Sequence, residues 1–195
     1  CHISFRYFLR SPVIDAQSWM EQTNPKPWLV AANHRGYIDP FLLALLPISA
    51  FLRFAPFCYL TTETYYYRWY LRPFLFLLGS YPIPLKAWTK DAYFGSTLYK
   101  LRQGLTVVIF PEGRLANENE HPSAKTGVIY ICQESGATIF PMRLTGTERM
   151  TITSFVLRRH HVRVQLGETL TVSADSSRHA MREEAKKLIA TIHNL

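Results

Sequence analysis

The chain is 195 residues long, 48% apolar and 18% charged, with a formal charge of +8 and a pI near 9.5. That is enough chain to bury one core, and too much apolar character for a disordered segment. The charge calls for an anionic partner (nucleic acid, acidic lipid, a phosphorylated cofactor or an acidic protein) and leaves the choice to the motifs.

Trp28-Leu29-Val30-Ala31-Ala32, after Pro25 and Pro27, is predicted as a buried strand that ends at Asn33. Asp39-Pro40 reads as a helix start, a capping acid and then proline, ahead of Phe41, Leu42, Leu43, Leu45 and Leu46. His34 therefore falls in a strand-to-helix turn. On a continuous helix, side chains five positions apart point roughly 140° away from one another; across a turn they can meet. Residues 54–60 are predicted as a strand, 63–78 as one aromatic-rich helix ended by Gly79, and 81–85 as an extended segment with two prolines. A helix is expected over 91–103, stopping at Gly104, and residues 105–110 form the clearest buried strand. The polar stretch 115–123 reads as a loop, 124–134 as a helix, 137–142 as a strand and 162–172 as one or two strands. Ser173-Ala174-Asp175 then leads into an amphipathic helix over 178–193.

Strands alternating with helices imply an α/β fold, a single domain over 1–195 with a largely parallel central sheet flanked by helices. Its motif-bearing core is 28–146, followed by C-terminal strands and a helix over 160–194. No repeat or second domain boundary is evident. Cys1, Cys58 and Cys132 are odd in number and widely spaced, and no His/Cys cluster has ligand spacing, so neither a disulfide framework nor a metal site is expected. Cys58 and Cys132 read as buried thiols in a reducing, cytoplasmic-side compartment. No signal peptide is legible, and beginning at Cys1 rather than methionine the sequence reads as a piece of a longer chain. The apolar stretches 40–51 and 73–85 fall short of the ~18–20 residues that span a bilayer. No crossing is expected, and lying on a membrane stays open.

Two segments carry chemistry: Asn33-His34-Arg35-Gly36-Tyr37-Ile38-Asp39-Pro40 and Phe110-Pro111-Glu112-Gly113-Arg114. A histidine, with an unperturbed pKa of about 6.5, suits removal of a proton from an attacking alcohol, and a carboxylate on its far nitrogen fixes the tautomer. His34 and Asp39 fit those roles, and Asn33, Arg35 and nearby backbone amides are candidates to stabilise an oxyanion. No G-x-S-x-G elbow is present, so direct attack by an acceptor hydroxyl is simpler than an enzyme-borne nucleophile. Gly113 permits a tight turn, Arg114 can fork onto a phosphate, and Glu112 can take a hydroxyl or orient Arg114. Ligands of parallel sheets gather beyond the strands' carboxyl ends, and His34 and Glu112 both fall there. A surface turn with a capping Asp, and a loop ion pair, are the plainer readings of each segment alone.

Taken in order, these segments resemble the first and third blocks of the phospholipid/glycerol acyltransferase family. Gly79-Ser80-Tyr81-Pro82-Ile83-Pro84-Leu85-Lys86 sits where its second block is expected, Ala137-Thr138-Ile139-Phe140-Pro141-Met142 where its fourth is, and Lys125-Thr126-Gly127 resembles a lysine-glycine step after the third. The resemblance, from about 28 to 146, implies a glycerolipid acyltransferase-like fold, His34 as general base and Asp39 as its orienting partner. It places acceptor binding at Glu112, Gly113 and Arg114, with Lys86, Lys125 and Pro141 as further substrate contacts. It implies acyl-CoA or acyl-acyl carrier protein as co-substrate and no metal or cofactor. Within the family, Val108 to Arg114 and Glu134 to Thr138 are similar to members acting on 2-acylglycerophosphoethanolamine. Two departures fall at the acceptor end: no threonine between Gly113 and Arg114, and Leu85 where an arginine is common, with Lys86 adjacent. They favour a lysophospholipid with a larger headgroup over lysophosphatidate.

A single-chain lipid acceptor implies a peripheral protein on the cytoplasmic face of the membrane. Phe51, Phe54, Phe57, Tyr65, Tyr66, Tyr67, Trp69, Tyr70, Phe74 and Phe76, interleaved with Arg53, Arg68 and Arg72, suit an anionic interface, or else fill the core and line an acyl tunnel. The compact basic clusters, Arg158-Arg159-His160-His161 and Lys186-Lys187, come without any nucleic-acid-binding signature, so no nucleic-acid partner is expected. The remaining alternative to an enzyme is a non-catalytic lipid- or RNA-binding basic module.

Overall fold

The structure is a computed structural model that describes residues 13–14, 17–21, 23–84, 86, 89–115, 123, 125–148, 150, 153–154, 157, 161–173 and 177–195. Among them, β1 (Val13–Ile14), β2 (Trp28–Ala32), β3 (Phe57–Thr62), β4 (Ser80–Ile83), β5 (Thr106–Ile109), β6 (Thr138–Thr145) and β7 (Arg163–Leu166) form one sheet in the order β1-β7-β6-β2-β5-β3-β4. All neighbouring pairs are parallel except β6 with β7. β2 and β5 are buried at every residue, as unbroken apolar runs require of strands covered on both faces.

The helices are α1 (Gln17–Met20), a 3-10 helix (Asp39–Leu45), α2 (Ile48–Phe54), α3 (Glu63–Tyr66), α4 (Arg72–Leu77), α5 (Lys90–Arg102), α6 (Gly127–Ser135) and α7 (Arg178–Asn194). Side chains alternate across a strand, so β2 feeds two cores. Trp28, Val30 and Ala32 join Trp19, Leu42, Leu46, Phe54 and Phe140 on one face; Leu29 and Ala31 join Val107, Ile109, Leu101, Ile131 and Leu188 on the other. The first core is covered by α1, the 3-10 helix and α2, the second by α5, α6 and α7. Cys58 and Cys132 are buried in the second core, and burial pushes their thiols up to about 11 and about 12, with Lys100 opposing the shift at Cys58. None of the described helices is long and apolar enough to cross a membrane.

The α/β class with a mostly parallel sheet is as expected, and several boundaries move for identifiable reasons. The helix expected at Asp39 is a 3-10 segment with Ile38 at its N-cap, followed after Pro47 by a separate α2. Residue 54 belongs to α2, and β3 starts only at Phe57, because Pro56 has no N–H to give the ladder. The single helix expected over 63–78 is two short ones, since Pro73 falls in the first turn of α4 and cannot continue a helix from α3. β6 runs to Thr145, beyond the expected end at 142, and β7 pairs back on it. The expectations for Cys1, Leu85, the 116–122 loop, Ala124, Arg158, Arg159, His160, Ala174 and Asp175 concern residues outside those described.

Candidate active site

β2 and β5 are parallel neighbours, with Ala31 beside Ile109, so the segments that leave their carboxyl ends emerge together. Asn33 leaves β2 first. Its side chain is buried and extends the ladder onto β6: Nδ2 donates to the Leu144 carbonyl at 2.8 Å, and the Leu144 N–H donates to Oδ1 at 2.6 Å. This fixes the direction in which the chain exits the strand.

The next five residues form a closed turn around one carboxylate oxygen. Asp39 Oδ2 accepts the backbone N–H of Arg35 at 2.7 Å and of Gly36 at 2.8 Å, and lies 2.9 Å from His34 Nδ1. The Asp39 N–H returns to the Gly36 carbonyl at 3.1 Å. Asp39 is therefore not the cap of a following helix: its carboxylate binds backwards, to the loop that carries His34. Gly36 has no alternative here, because a Cβ would stand 2.5 Å from the Thr147 carbonyl oxygen. An oxygen that already accepts two backbone N–H groups takes Nδ1–H as a third donor. That tautomer leaves His34 Nε2 with its lone pair.

Phe110, the first residue past β5, stacks on the His34 ring at 4.1 Å and 17°. Two residues on, Glu112 is buried, and its Oε2 faces the His34 backbone N–H at 3.4 Å. Burial raises the Glu112 carboxyl above its ordinary value; the Arg35 guanidinium and the His34 contacts oppose this, and Asp39 adds to it. Gly113 follows at φ 69°, a left-handed conformation that suits glycine, and the Lys125 side chain crosses it so closely that a Cβ would lie 2.8 Å from Nζ. The Lys125 N–H donates to the Pro111 carbonyl at 2.9 Å, tying both ends of the intervening loop together. Arg114 is exposed and donates from Nη1 to the Leu115 carbonyl at 3.2 Å.

The fold thus brings His34, Arg35, Asp39, Glu112, Gly113 and Lys125 together, with Arg114 at the rim. Three of the expected oxyanion donors already bond within the protein. The Asn33 amide is committed to Leu144, and the Arg35 and Gly36 N–H groups are committed to Asp39. The Arg35 guanidinium lies close enough to this corner to act on the Glu112 carboxyl. Pro141 is buried in β6 at the level of Ala31, its ring close to Gly167. Lys86 is exposed past the carboxyl end of β4, with β3 between that strand and β5, roughly 10 Å across the sheet. One neighbour went unforeseen: His193, near the end of α7, places Nε2 at 3.5 Å from Glu112 Oε1. No spacing or motif signals that contact, since only the folded chain brings the last helix to β5. Among the described residues no group of His, Cys, Asp and Glu has the makings of a metal site.

Residues 18–145 match the acyltransferase family, and the chain belongs to it; it is an enzyme of acyl transfer. The fold is similar to that of the 1-acyl-sn-glycerophosphate (LPA) acyltransferase PlsC from Thermotoga maritima. The TM-score is 0.67 at 16% identity, over 98% of this chain and 73% of that one. At that identity the likeness speaks for the fold.

Proposed function

We propose that the enzyme moves a fatty acyl group from acyl-CoA or acyl-acyl carrier protein to the free hydroxyl of a lysoglycerophospholipid, either 2-acylglycerophosphoethanolamine-like or lysophosphatidate. The observation that carries this reading is the buried Asp39 holding His34 Nδ1 at 2.9 Å, beside Glu112 at the carboxyl ends of two adjacent strands, in a chain of the acyltransferase family. The acceptor oxygen adds to the thioester carbonyl carbon while its proton passes to His34 Nε2. The carbonyl electron pair moves onto oxygen, near the Arg35 guanidinium. Collapse re-forms the carbonyl and breaks the C–S bond, and the departing thiolate takes the proton back from the imidazolium. Throughout, Asp39 Oδ2 holds the other side of the ring, and Phe110 covers one of its faces.

Arg114 and Lys125, flanking Gly113, supply the positive charge for the acceptor phosphate. The acceptor's chain comes from a membrane, and the segment between β3 and β4 suits an anionic membrane surface. Tyr65, Tyr67, Trp69, Tyr70, Phe74, Phe76 and Leu77 are exposed there, Trp69 at 84% and Leu77 at 82%, with Arg68 and Arg72 among them. Of the other aromatics grouped with them by sequence, Tyr66 is half-buried in α3, Phe54 is in the core, and Phe51 and Phe57 pack against it. Arg53 likewise turns inward, over Trp28 and onto the Met20 carbonyl. The protein is accordingly read as peripheral, on the cytoplasmic face.

The test is incubation of labelled acyl-CoA and acyl-acyl carrier protein with a lysolipid panel. His34→Ala should lower ester formation by about 10³-fold, the scale of a lost general base. Near-normal turnover in that variant sinks the mechanism, and absence of any new ester in the parent leaves only a binding module.

A further inference from the structure

The two oxygens of Glu112 face two different parts of the chain. Oε2 is toward the His34 backbone N–H, and Oε1 has no hydrogen bond among the described residues and lies 3.5 Å from His193 Nε2. The carboxyl end of Glu112 is fully buried, while the His193 side chain keeps about a fifth of its surface exposed. His193 is itself held from two strands. The Arg143 guanidinium on β6 donates to the His193 carbonyl, and Gln165 on β7 donates to the Leu195 carbonyl. The Leu195 methyls fill the space beside Gly167, where a Cβ would come within 3.0 Å of them. These ties set the last turn of α7 against Glu112.

We infer that His193 is a positioning residue of the active site: its Nε2 fixes the Glu112 carboxyl, whose other oxygen holds the backbone of His34 and with it the placement of the catalytic ring. The inference rests on the reading of His34 as the base. Imidazole serves this role in either protonation state, since Nε2 can donate to a carboxylate or accept from a carboxylic acid. At 3.5 Å the pair is an ion-pair contact and not a hydrogen bond; the inference includes its shortening when substrate loads the site, as catalytic hydrogen bonds do. The charged groups facing Glu112 are His193 from α7 and His34, Arg35 and Asp39 from the turn after β2. His193 lies outside the span that matches the family, 18–145.

Two readouts on the whole chain decide it. In the acyl-transfer assay His193→Ala should lower kcat about tenfold while the acceptor KM changes less than about twofold, the signature of a contact that matters in the transition state. His193→Gln, whose amide N–H can still reach Oε1, should restore most of the rate and carries the kinetic test if the alanine variant fails to fold. By NMR titration of ring nitrogens, the His193 midpoint should fall by about half a unit or more in Glu112→Gln, because a facing carboxylate favours the imidazolium. An unmoved His193 titration, or a glutamine variant no better than alanine, overturns the inference. The titration needs no turnover, so failure of the His34 mechanism and failure of this contact are told apart.

Discussion

His34 and Asp39 sit in a turn closed by backbone hydrogen bonds to a buried carboxylate, whereas Arg114 and Lys125 stand exposed on the loop beyond β5. The difference follows from what each end has to do. On the proposed mechanism His34 is the proton acceptor, which must stand in one place for every substrate; its ring is pinned at Nδ1, stacked on Phe110 and carried by a backbone that Glu112 faces. The headgroup-binding role proposed for Arg114 and Lys125 suits cations that work from solvent, where long side chains can adapt and where the surrounding dielectric keeps each contact modest.

The comparison breaks most visibly at Asp39. Asp39→Ala should reduce turnover by about 10³-fold, through loss of the tautomer and ring position. It should also lower unfolding free energy by about 3 kcal/mol, because the Arg35 and Gly36 amides lose a charged acceptor. A loss of less than tenfold in turnover would put the proton acceptor elsewhere. On the exposed side the effects separate from stability. Replacing Trp69 and Phe76 together by serine should weaken binding to anionic vesicles about thirtyfold, as expected when two aromatic side chains no longer enter the interface. Their exposure means that the unfolding midpoint should hardly move; vesicle binding at the parental level would remove this segment from the membrane surface. Arg114→Ala should raise the acceptor KM about tenfold and leave kcat within about twofold, and an unchanged KM would move the phosphate site.

The smallest effect is the most diagnostic of burial. Glu112 lies above its ordinary value of 4.5, chiefly through desolvation, so folding favours its protonated form. The stability that this gives is complete below 4.5 and is lost as pH climbs through the raised value. Glu112→Gln should therefore be more stable relative to the parent at pH 7 than at pH 4, measured by denaturant midpoint. A gap that stays constant with pH would show that the carboxyl is solvated.

What was legible in the sequence is what is encoded locally. β2 and β5 announce themselves as unbroken apolar runs, and the His34–Asp39 meeting follows from a strand exit followed by Asp39-Pro40. The segment 63–78, expected as one helix, misled because Pro73 interrupts it; its side chains are mostly exposed rather than turned to a core. The Asn33 amide was assigned to chemistry because its partner, the Leu144 backbone, is reachable only once β6 lies beside β2. His193 was read only as the end of an amphipathic helix, for the same reason. Contacts within one turn can be read from spacing; contacts made by the sheet's strand order cannot.

The two described thiols gain a meaning from the chemistry around them. Activated acyl esters of sulfur exchange readily with any accessible thiolate, so with the proposed thioester donor the enzyme risks labelling itself. Cys58 and Cys132 are 1% and 2% exposed, held protonated at neutral pH, and Cys58 Sγ points to the Thr106 carbonyl at 3.7 Å. Within the folded domain they are poor competitors for the donor's cargo, and they turn into acylation targets only when the second core opens.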